Sequence, residues 1–394
     1  MSQQLISLSP DLKQLQDEGY EVAIIANHLV ISHVPYVTSQ GLVEYGRLVS
    51  ELTLSSNRAI KPSTHVIDFE GEFPCHKNGE AIEAIRYVSS QKQLAPELIA
   101  HHSFSNKPPQ GYADYYEKVT RYLDIISNPA KSLDPSCTAK TFKVIHSEED
   151  ENVFNYLDTN SSRAGINMIS RKLNNQKIAI VGLGGTGAYI LDLIAKSPVK
   201  EIHLFDGDEF IQHNAFRTPG AATEQQLDRM PKKVDYLKEI YSGMRKGIIA
   251  NDFYLTPTNM DALCDFDFVF ISIDKGDIKR EIFTYLENHD ISFVDVGIGV
   301  EAIDDQLIGM VRTTASSPKQ RSHIGHKVSF EEGENAAYTS NIQIAELNAL
   351  NASLAVIKWK KLAGFYQDLN HEHHSVYTIN VDMLTDEDHA TQIC

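Results

Sequence analysis

Four glycines, Gly182, Gly184, Gly185 and Gly187, break an apolar run in IAIVGLGGTG, residues 178–187. Glycine takes the backbone angles of a tight turn and puts no side chain in the way of an approaching phosphate. Downstream lie carboxylates, a carboxamide and cations of a matching kind: Asp206, Asp208, Asn214, Arg217, Lys232, Lys233, Asp274 and Arg280. Arg and Lys can neutralise a triphosphate, and a carboxylate at a strand end can hold Mg²⁺. An acidic group about twenty residues past such a loop can also accept hydrogen bonds from ribose hydroxyls. Asp206 could equally be a strand-end turn, since it precedes a glycine, and Lys233 and Arg280 read equally well as solvated charges. A nicotinamide dehydrogenase would share the loop and Asp206. It would have no use for the cations, whereas cleavage of a nucleotide at its α-phosphate needs them.

The elements that must position these groups follow from the pattern. Residues 178–181 read as a strand, and AYILDLIAK after the loop reads as a helix whose free N–H groups and positive dipole end face it. EIHLF and FDFVFISID read as two more apolar strands, ending at Asp206 and at Asp274. In a doubly wound sheet these termini share one edge, where ligands bind.

At this point the chain resembles the ThiF/MoeB-type adenylyltransferases, the group that includes the ubiquitin-activating enzymes. The resemblance spans roughly residues 160–365 and rests on GLGGTG, FDGDEFIQHNAFR, MPKKV, ISIDKGDIKR and, upstream, SSRAGI. It implies an α/β fold, a Rossmann-like, doubly wound adenylation domain over 151–394; residues 1–150 ahead of it read by their own pattern as a smaller α+β domain. It implies ATP and Mg²⁺ as cofactors, and a small ubiquitin-like or sulfur-carrier protein whose C-terminal carboxylate is joined to AMP. It also implies roles. Arg217, Lys232 and Arg163 stabilise phosphate charge, Arg163 from across a homodimer boundary. Asp274 holds Mg²⁺, Asp206 or Asp208 contacts ribose, Asn214 orients the phosphates, and the four glycines form the nucleotide loop. A carboxylate is already ionised at neutral pH, so positioning and charge neutralisation are the expected means of catalysis.

The departures narrow the reading. Many members carry two CxxC pairs for a structural zinc. The four cysteines here, Cys75, Cys137, Cys264 and Cys394, have no such spacing, so no zinc of that type is expected. Members that form a thioester place a cysteine in the segment crossing the active site, and residues 312–340 contain none. Cys264, just before an apolar strand, is expected to be buried and inert. Cys394 is expected to be mobile, and Cys75 and Cys137 structural. Two other readings stay open: adenylation of a peptide or small-molecule carboxylate, and a noncatalytic nucleotide-binding adaptor.

The composition frames this. The 394 residues leave room for two domains, and a formal net charge of −17 disfavours nonspecific nucleic-acid binding. Scattered cysteines fit a reducing cytosol, and no stretch is apolar enough to span a membrane. MSQQLISLSPDLKQLQDEGY lacks the basic start and apolar run of a signal peptide.

The acidic run HSEEDEN, residues 146–152, marks the expected domain boundary. Ahead of it, EVAIIANHLVISHVPYVT reads as two strands joined at Asn27-His28. THVIDFEGEFPCHKNGEAIEAIRYV reads as strands broken at Gly71 and at Lys77-Asn78-Gly79, then a helix. YADYYEKVTRYLDIIS reads as an amphipathic helix with Tyr115, Val119 and Tyr122 facing a core. His65, Cys75, His76, His101, His102 and Lys107 match no defensible zinc spacing. This part would suit a ubiquitin-conjugating-like module or a domain recognising the protein substrate. Near the C-terminus, NIQIAELNALNASLAVIKWKKLAGF reads as a long helix stopped by Gly364. HEHHSV, residues 371–376, reads as a solvated loop, SVYTINVDML as a last strand, and the rest as a loose acidic tail.

Overall fold

The computed structural model describes residues 2–55, 58–145, 152–164, 166–274, 276–328, 330 and 342–389. The chain divides into two compact units, residues 1–145 and 146–394.

In the first unit, α1 (Ser2–Leu8) and α2 (Pro10–Asp17) precede β1 (Glu21–Ile25), β2 (His28–Val37) and β3 (Val43–Glu51). A short pair, β4 (Leu54–Ser55) and β5 (Arg58–Ala59), is followed by β6 (Val66–Glu70), β7 (Arg86–Ala95), β8 (Leu98–Ser105) and α3 (Tyr115–Leu133). The six long strands form one antiparallel sheet in the order β1-β2-β3-β6-β8-β7. Tyr115, Val119 and Tyr122 of α3 are fully buried, as the stripe predicts, beside Ile31, Val34 and Phe69 from the sheet. The first hairpin turns at Ala26 and Asn27, both in the left-handed region, one residue earlier than expected. The helix expected after Gly79 is a single 3-10 turn at Glu83–Ile85, and the chain then enters β7. β7 is an edge strand whose polar, exposed residues carry no alternating pattern, so the sequence hides it.

The second unit opens with α4 (Thr159–Arg163) and α5 (Asn167–Ser170), then alternates strand and helix: β9 (Lys177–Val181), α6 (Gly185–Ala195), β10 (Glu201–Phe205), α7 (Gln212–Ala215), α8 (Glu224–Asp228), α9 (Lys233–Ser242) and β11 (Ile248–Asn251). β12 (Phe268–Ile271), α10 (Gly276–Asn288), β13 (Ser292–Ile303), β14 (Gln306–Ser316), α11 (Ile324–Lys327), α12 (Ala345–Leu362), β15 (Glu372–Thr378) and β16 (Met383–His389) complete it. One eight-stranded sheet runs β11-β10-β9-β12-β13-β14-β15-β16. The first five strands are parallel and the last three antiparallel. IAIV and FVFI are continuously apolar because both sheet faces are covered. Ile178, Ile180, Phe268 and Phe270 pack under α6 and α12. Ala179, Val181, Val269 and Ile271 pack under Ile282, Phe283 and Leu286 of α10. The strand order reverses at β9, whose neighbours are β10 and β12, which puts a topological switch point beside the glycine loop.

Two expectations fail here. Residues 371–376 are not a solvated loop: Glu372, His373, His374 and Ser375 are buried in β15. Glu372 accepts from Lys358 Nζ at 2.9 Å and Lys361 Nζ at 2.5 Å, both on α12. Burial opposes ionisation, but the two lysines win and hold the carboxyl down to about 2. The last strand divides at a 3-10 turn, Ile379–Val381, and the acidic stretch after it forms β16. Cys264 is also not buried; it is exposed, while Cys75 and Cys137 are buried. A 3-10 turn, Met260–Leu263, ends just ahead of it and buries Leu263 instead. Cys264→Ser should therefore remove one equivalent from the fast phase of thiol labelling of the native protein. A fast phase unchanged by the substitution would contradict the exposure. Cys394 lies outside the described residues.

Candidate active site

The cavity at the switch point has a volume of about 560 Å³, within the range of small-molecule sites. Its floor is the turn from β9 to α6. Gly182 has φ +87°, and a Cβ there would run into the carbonyl oxygen of Ser272. A Cβ on Gly187 would strike the Gly182 carbonyl oxygen, so the turn closes on itself only with glycine at both ends. Gly184 is the N-cap of α6, and its missing side chain leaves open space, with Gln343 Oε1 4.0 Å from the Cβ position. The first turn of α6 thus presents free N–H groups to the cavity.

Asp206, at the end of β10, braces this loop. Its Oδ2 accepts from Leu183 N at 2.6 Å and its Oδ1 from Asp208 N at 2.9 Å. Lys233 Nζ lies 2.6 Å from Asp208 Oδ2 and 3.8 Å from Asp206 Oδ2, with its side chain only 6% exposed. Tyr254 donates to Asp208, and that bond holds its phenol up at about 12. Arg217 lines the cavity opposite, its Nε buried without a hydrogen-bond partner among the described residues. Burial presses its guanidinium below the ordinary value, and Asp274 and Asp208 oppose that shift. Asp274, just past β12, also lines the cavity and is exposed. The far wall is Val296, Gly297 and Ile298 of β13, with Gln343 above it.

Two buried asparagines on α12 tie the walls together. Asn348 Oδ1 accepts from Thr186 Oγ1 at 2.8 Å, and its Nδ2 donates to the Arg217 carbonyl at 3.4 Å. Asn351 Nδ2 donates to the Gly297 carbonyl at 3.0 Å, and its Oδ1 accepts from Thr313 Oγ1 at 3.1 Å. The helix reading placed these residues correctly and took no notice of their polar side chains. Their spacing of three within an apolar helix is the signal that would have marked them.

The cavity brings together Gly182, Gly184, Asp206, Asp208, Arg217, Lys233 and Asp274, together with Gly185. Lys232 is not in its wall; its Nζ donates to the Gly207 carbonyl at 2.9 Å. Gly187 lies within the first turn of α6. Asn214 is buried, and its Oδ1 accepts from Ile211 N at 2.9 Å, capping its own short helix. Arg280 lies over the ring of Phe330, 5.0 Å from its centre. Arg163 ends α4, and its side chain lies outside the described residues. Among the described residues no group of three or more His, Cys, Asp or Glu could hold a metal alone. Mg²⁺ commonly takes one or two carboxylates plus substrate phosphates, and Asp274 fits that role.

This arrangement is a cavity at the switch point of an α/β sheet, and residues 160–383 match the model of the ThiF family. The chain belongs to the ThiF family. Residues 10–159 match a domain of unknown function, DUF6791. A curated relative, the tRNA threonylcarbamoyladenosine dehydratase of Haemophilus influenzae, is 26% identical over 136 residues, covering 32% of this chain and 49% of that protein. The chain thus spans about half the length of the curated relative it matches. Among solved structures, E. coli MccB with succinimide is similar at TM-score 0.45 and 17% identity, over 58% of this chain and 68% of that one. Selenomethionine PaaA is similar at TM-score 0.48 and 15% identity, over 73% and 92%. E. coli MccB with ATP is similar at TM-score 0.44 and 17% identity, over 58% and 68%. No helix among the described residues is long and apolar enough to cross a membrane.

Proposed function

We propose that residues 151–394 form an ATP-dependent adenylyltransferase. Its substrate in this reading is the C-terminal carboxylate of a small ubiquitin-like or sulfur-carrier protein. The observation that carries the reading is the convergence of Arg217 and Lys233 on the same cavity as the glycine loop and the α6 N-terminus. In the reaction a carboxylate oxygen attacks the α-phosphorus of ATP. The bond from that phosphorus to the oxygen bridging to the β-phosphate breaks, and pyrophosphate leaves with the electron pair. No proton needs to move, because the nucleophile is already ionised.

The residues divide the work. The α6 N–H groups and Arg217 take up phosphate charge. Lys233 does so too, in place of its neighbour Lys232. Asp208, whose side chain is about half exposed, contacts ribose, while the buried Asp206 braces the loop. Asn214 acts by fixing the segment that carries Arg217. Asp274 would hold Mg²⁺, which would supply neutralising charge to the phosphates. Arg163 reaches ATP across a homodimer boundary, and the protein works in the cytosol.

The reaction is tested by pyrophosphate–ATP exchange with ubiquitin-like proteins and peptides as acceptors. Exchange that needs a free C-terminal carboxylate supports the reading. Tight ATP binding without exchange for any acceptor would favour an adaptor. The absence of cysteine from residues 312–340 favours one variant, in which the acyl-adenylate is the product on this chain and a peptide or small-molecule carboxylate is the acceptor. For the metal, ATP binding to the native protein is expected to tighten about tenfold with Mg²⁺, and Asp274→Asn should erase that gain. An unchanged Mg²⁺ response in Asp274→Asn would remove Asp274 from the metal site.

A further inference from the structure

Tyr254 is a built part of the cavity wall rather than a loose surface ring. Its neighbour Phe253 packs edge-on against Phe205, with ring centres 5.7 Å apart. On the other side, Asn259 Nδ2 donates to the Tyr254 carbonyl at 3.0 Å, and Asn259 Oδ1 accepts from Thr256 N at 2.7 Å. The segment is thus pinned before and after Tyr254, whose ring is exposed and lines the cavity. The ring lies over Gly207. A Cβ there would come within 2.8 Å of Cε2 and 2.9 Å of Cδ2 and Cζ. Gly207 is not among the glycines with a left-handed φ, so its backbone does not call for glycine. The tyrosine ring does, by taking the space a side chain would fill. The phenol ends on Asp208. Tyr254 donates to Asp208 Oδ1, while Lys233 Nζ lies 2.6 Å from Oδ2. A carboxylate gripped at one oxygen can still swing about that contact; one gripped at both is fixed in plane and direction. The same bond keeps the phenol protonated up to about 12, so Tyr254 stays a donor throughout the physiological range.

We infer that Tyr254 is a positioning residue for the sugar, that it acts through Asp208, and that Gly207 is the seat for its ring. The inference rests on the nucleotide reading of this cavity, with Asp208 as the group that meets ribose. Lys233 alone would leave the half-exposed carboxylate to be ordered when the ligand arrives. With the Tyr254 hydroxyl on the other oxygen that ordering is already done, and the ribose hydroxyls meet an acceptor in place. The device therefore favours a ribonucleotide over one that lacks the sugar hydroxyls. Tyr254 takes no part in bond making.

The test is calorimetric titration of the full chain with ATP and with 2′,3′-dideoxy-ATP. Native protein is expected to prefer ATP by about tenfold, the worth of one hydrogen bond to a charged group. Tyr254→Phe keeps the ring and removes the hydroxyl, and the preference should fall below about threefold. Gly207→Ala displaces the ring by another route and should lower the preference to the same extent. The double variant should lose nothing more, because both changes break one link. A preference that survives in Tyr254→Phe, even where both nucleotides bind more weakly, makes the tyrosine merely structural and overturns the assignment. Native protein that binds the two nucleotides alike overturns it too, and a native preference in Gly207→Ala removes the seat. Native protein that binds neither nucleotide defeats the nucleotide reading itself, and this inference with it.

Discussion

Lys233→Met is expected to weaken ATP binding by roughly 30- to 100-fold, whereas Lys232→Met should change it by less than about threefold. The two lysines are adjacent in sequence and lead different lives. Lys232 is the N-cap of α9, and its ammonium is spent on the Gly207 carbonyl. Lys233 begins the helix, and its stem is buried against the sheet. Its ammonium is held by Asp208 and Asp206 at the cavity wall. Removing it deletes a cation at the cavity wall and leaves the buried Asp206 carboxylate without an ion-pair partner among the described residues. Methionine keeps most of the stem's packing, so a collapse of the fold should not be the cause. Calorimetric titration with ATP decides the matter. Equal dissociation constants for the two variants would remove Lys233 from the phosphate site.

Asp295→Ala is expected to destabilise the second unit by about 3–5 kcal/mol, the usual cost of stripping one partner from a buried ion group. For a unit of this size that corresponds to a fall of roughly 10 °C in its melting temperature. The alanine would leave Lys279 and Arg312 facing each other with no carboxylate between them. Taking away a cation as well should relieve part of the strain. Lys279→Met combined with Asp295→Ala should melt higher than Asp295→Ala alone. Thermal unfolding of the single and double variants measures the coupling. A double variant that melts lower than both singles would show that the three groups do not act as a unit.

How far the sequence reached depends on where each residue's partners lie. The β9 and β12 strands were legible because a run of apolar residues covered on both faces is a local signal. The glycine loop was legible for the same reason. The choice between Lys232 and Lys233 was not, because a step of one residue at the start of α9 decides which side chain lines the cavity. Residues 372–375 look like solvent-loving loop. They are buried because Lys358 and Lys361, more than ten residues upstream on α12, neutralise Glu372. Cys264 shows the reverse error: proximity to a buried strand says nothing about which residue of the preceding turn faces inward.

The asparagine pair on α12 has a consequence for how this protein can vary. Asn348 grips Thr186 beside the glycine loop and the Arg217 carbonyl, and Asn351 grips Gly297, so one helix sets the separation of the two cavity walls. Three residues of helix amount to a rise of about 4.5 Å and a rotation of roughly 300°. Removing or adding a single residue between them would swing one carboxamide about 100° out of register and release a wall. The segment from 348 to 351 therefore behaves as a gauge block. Its two middle residues, Ala349 and Leu350, can exchange for other helix formers, but their number cannot change without altering the width of the cavity between the walls.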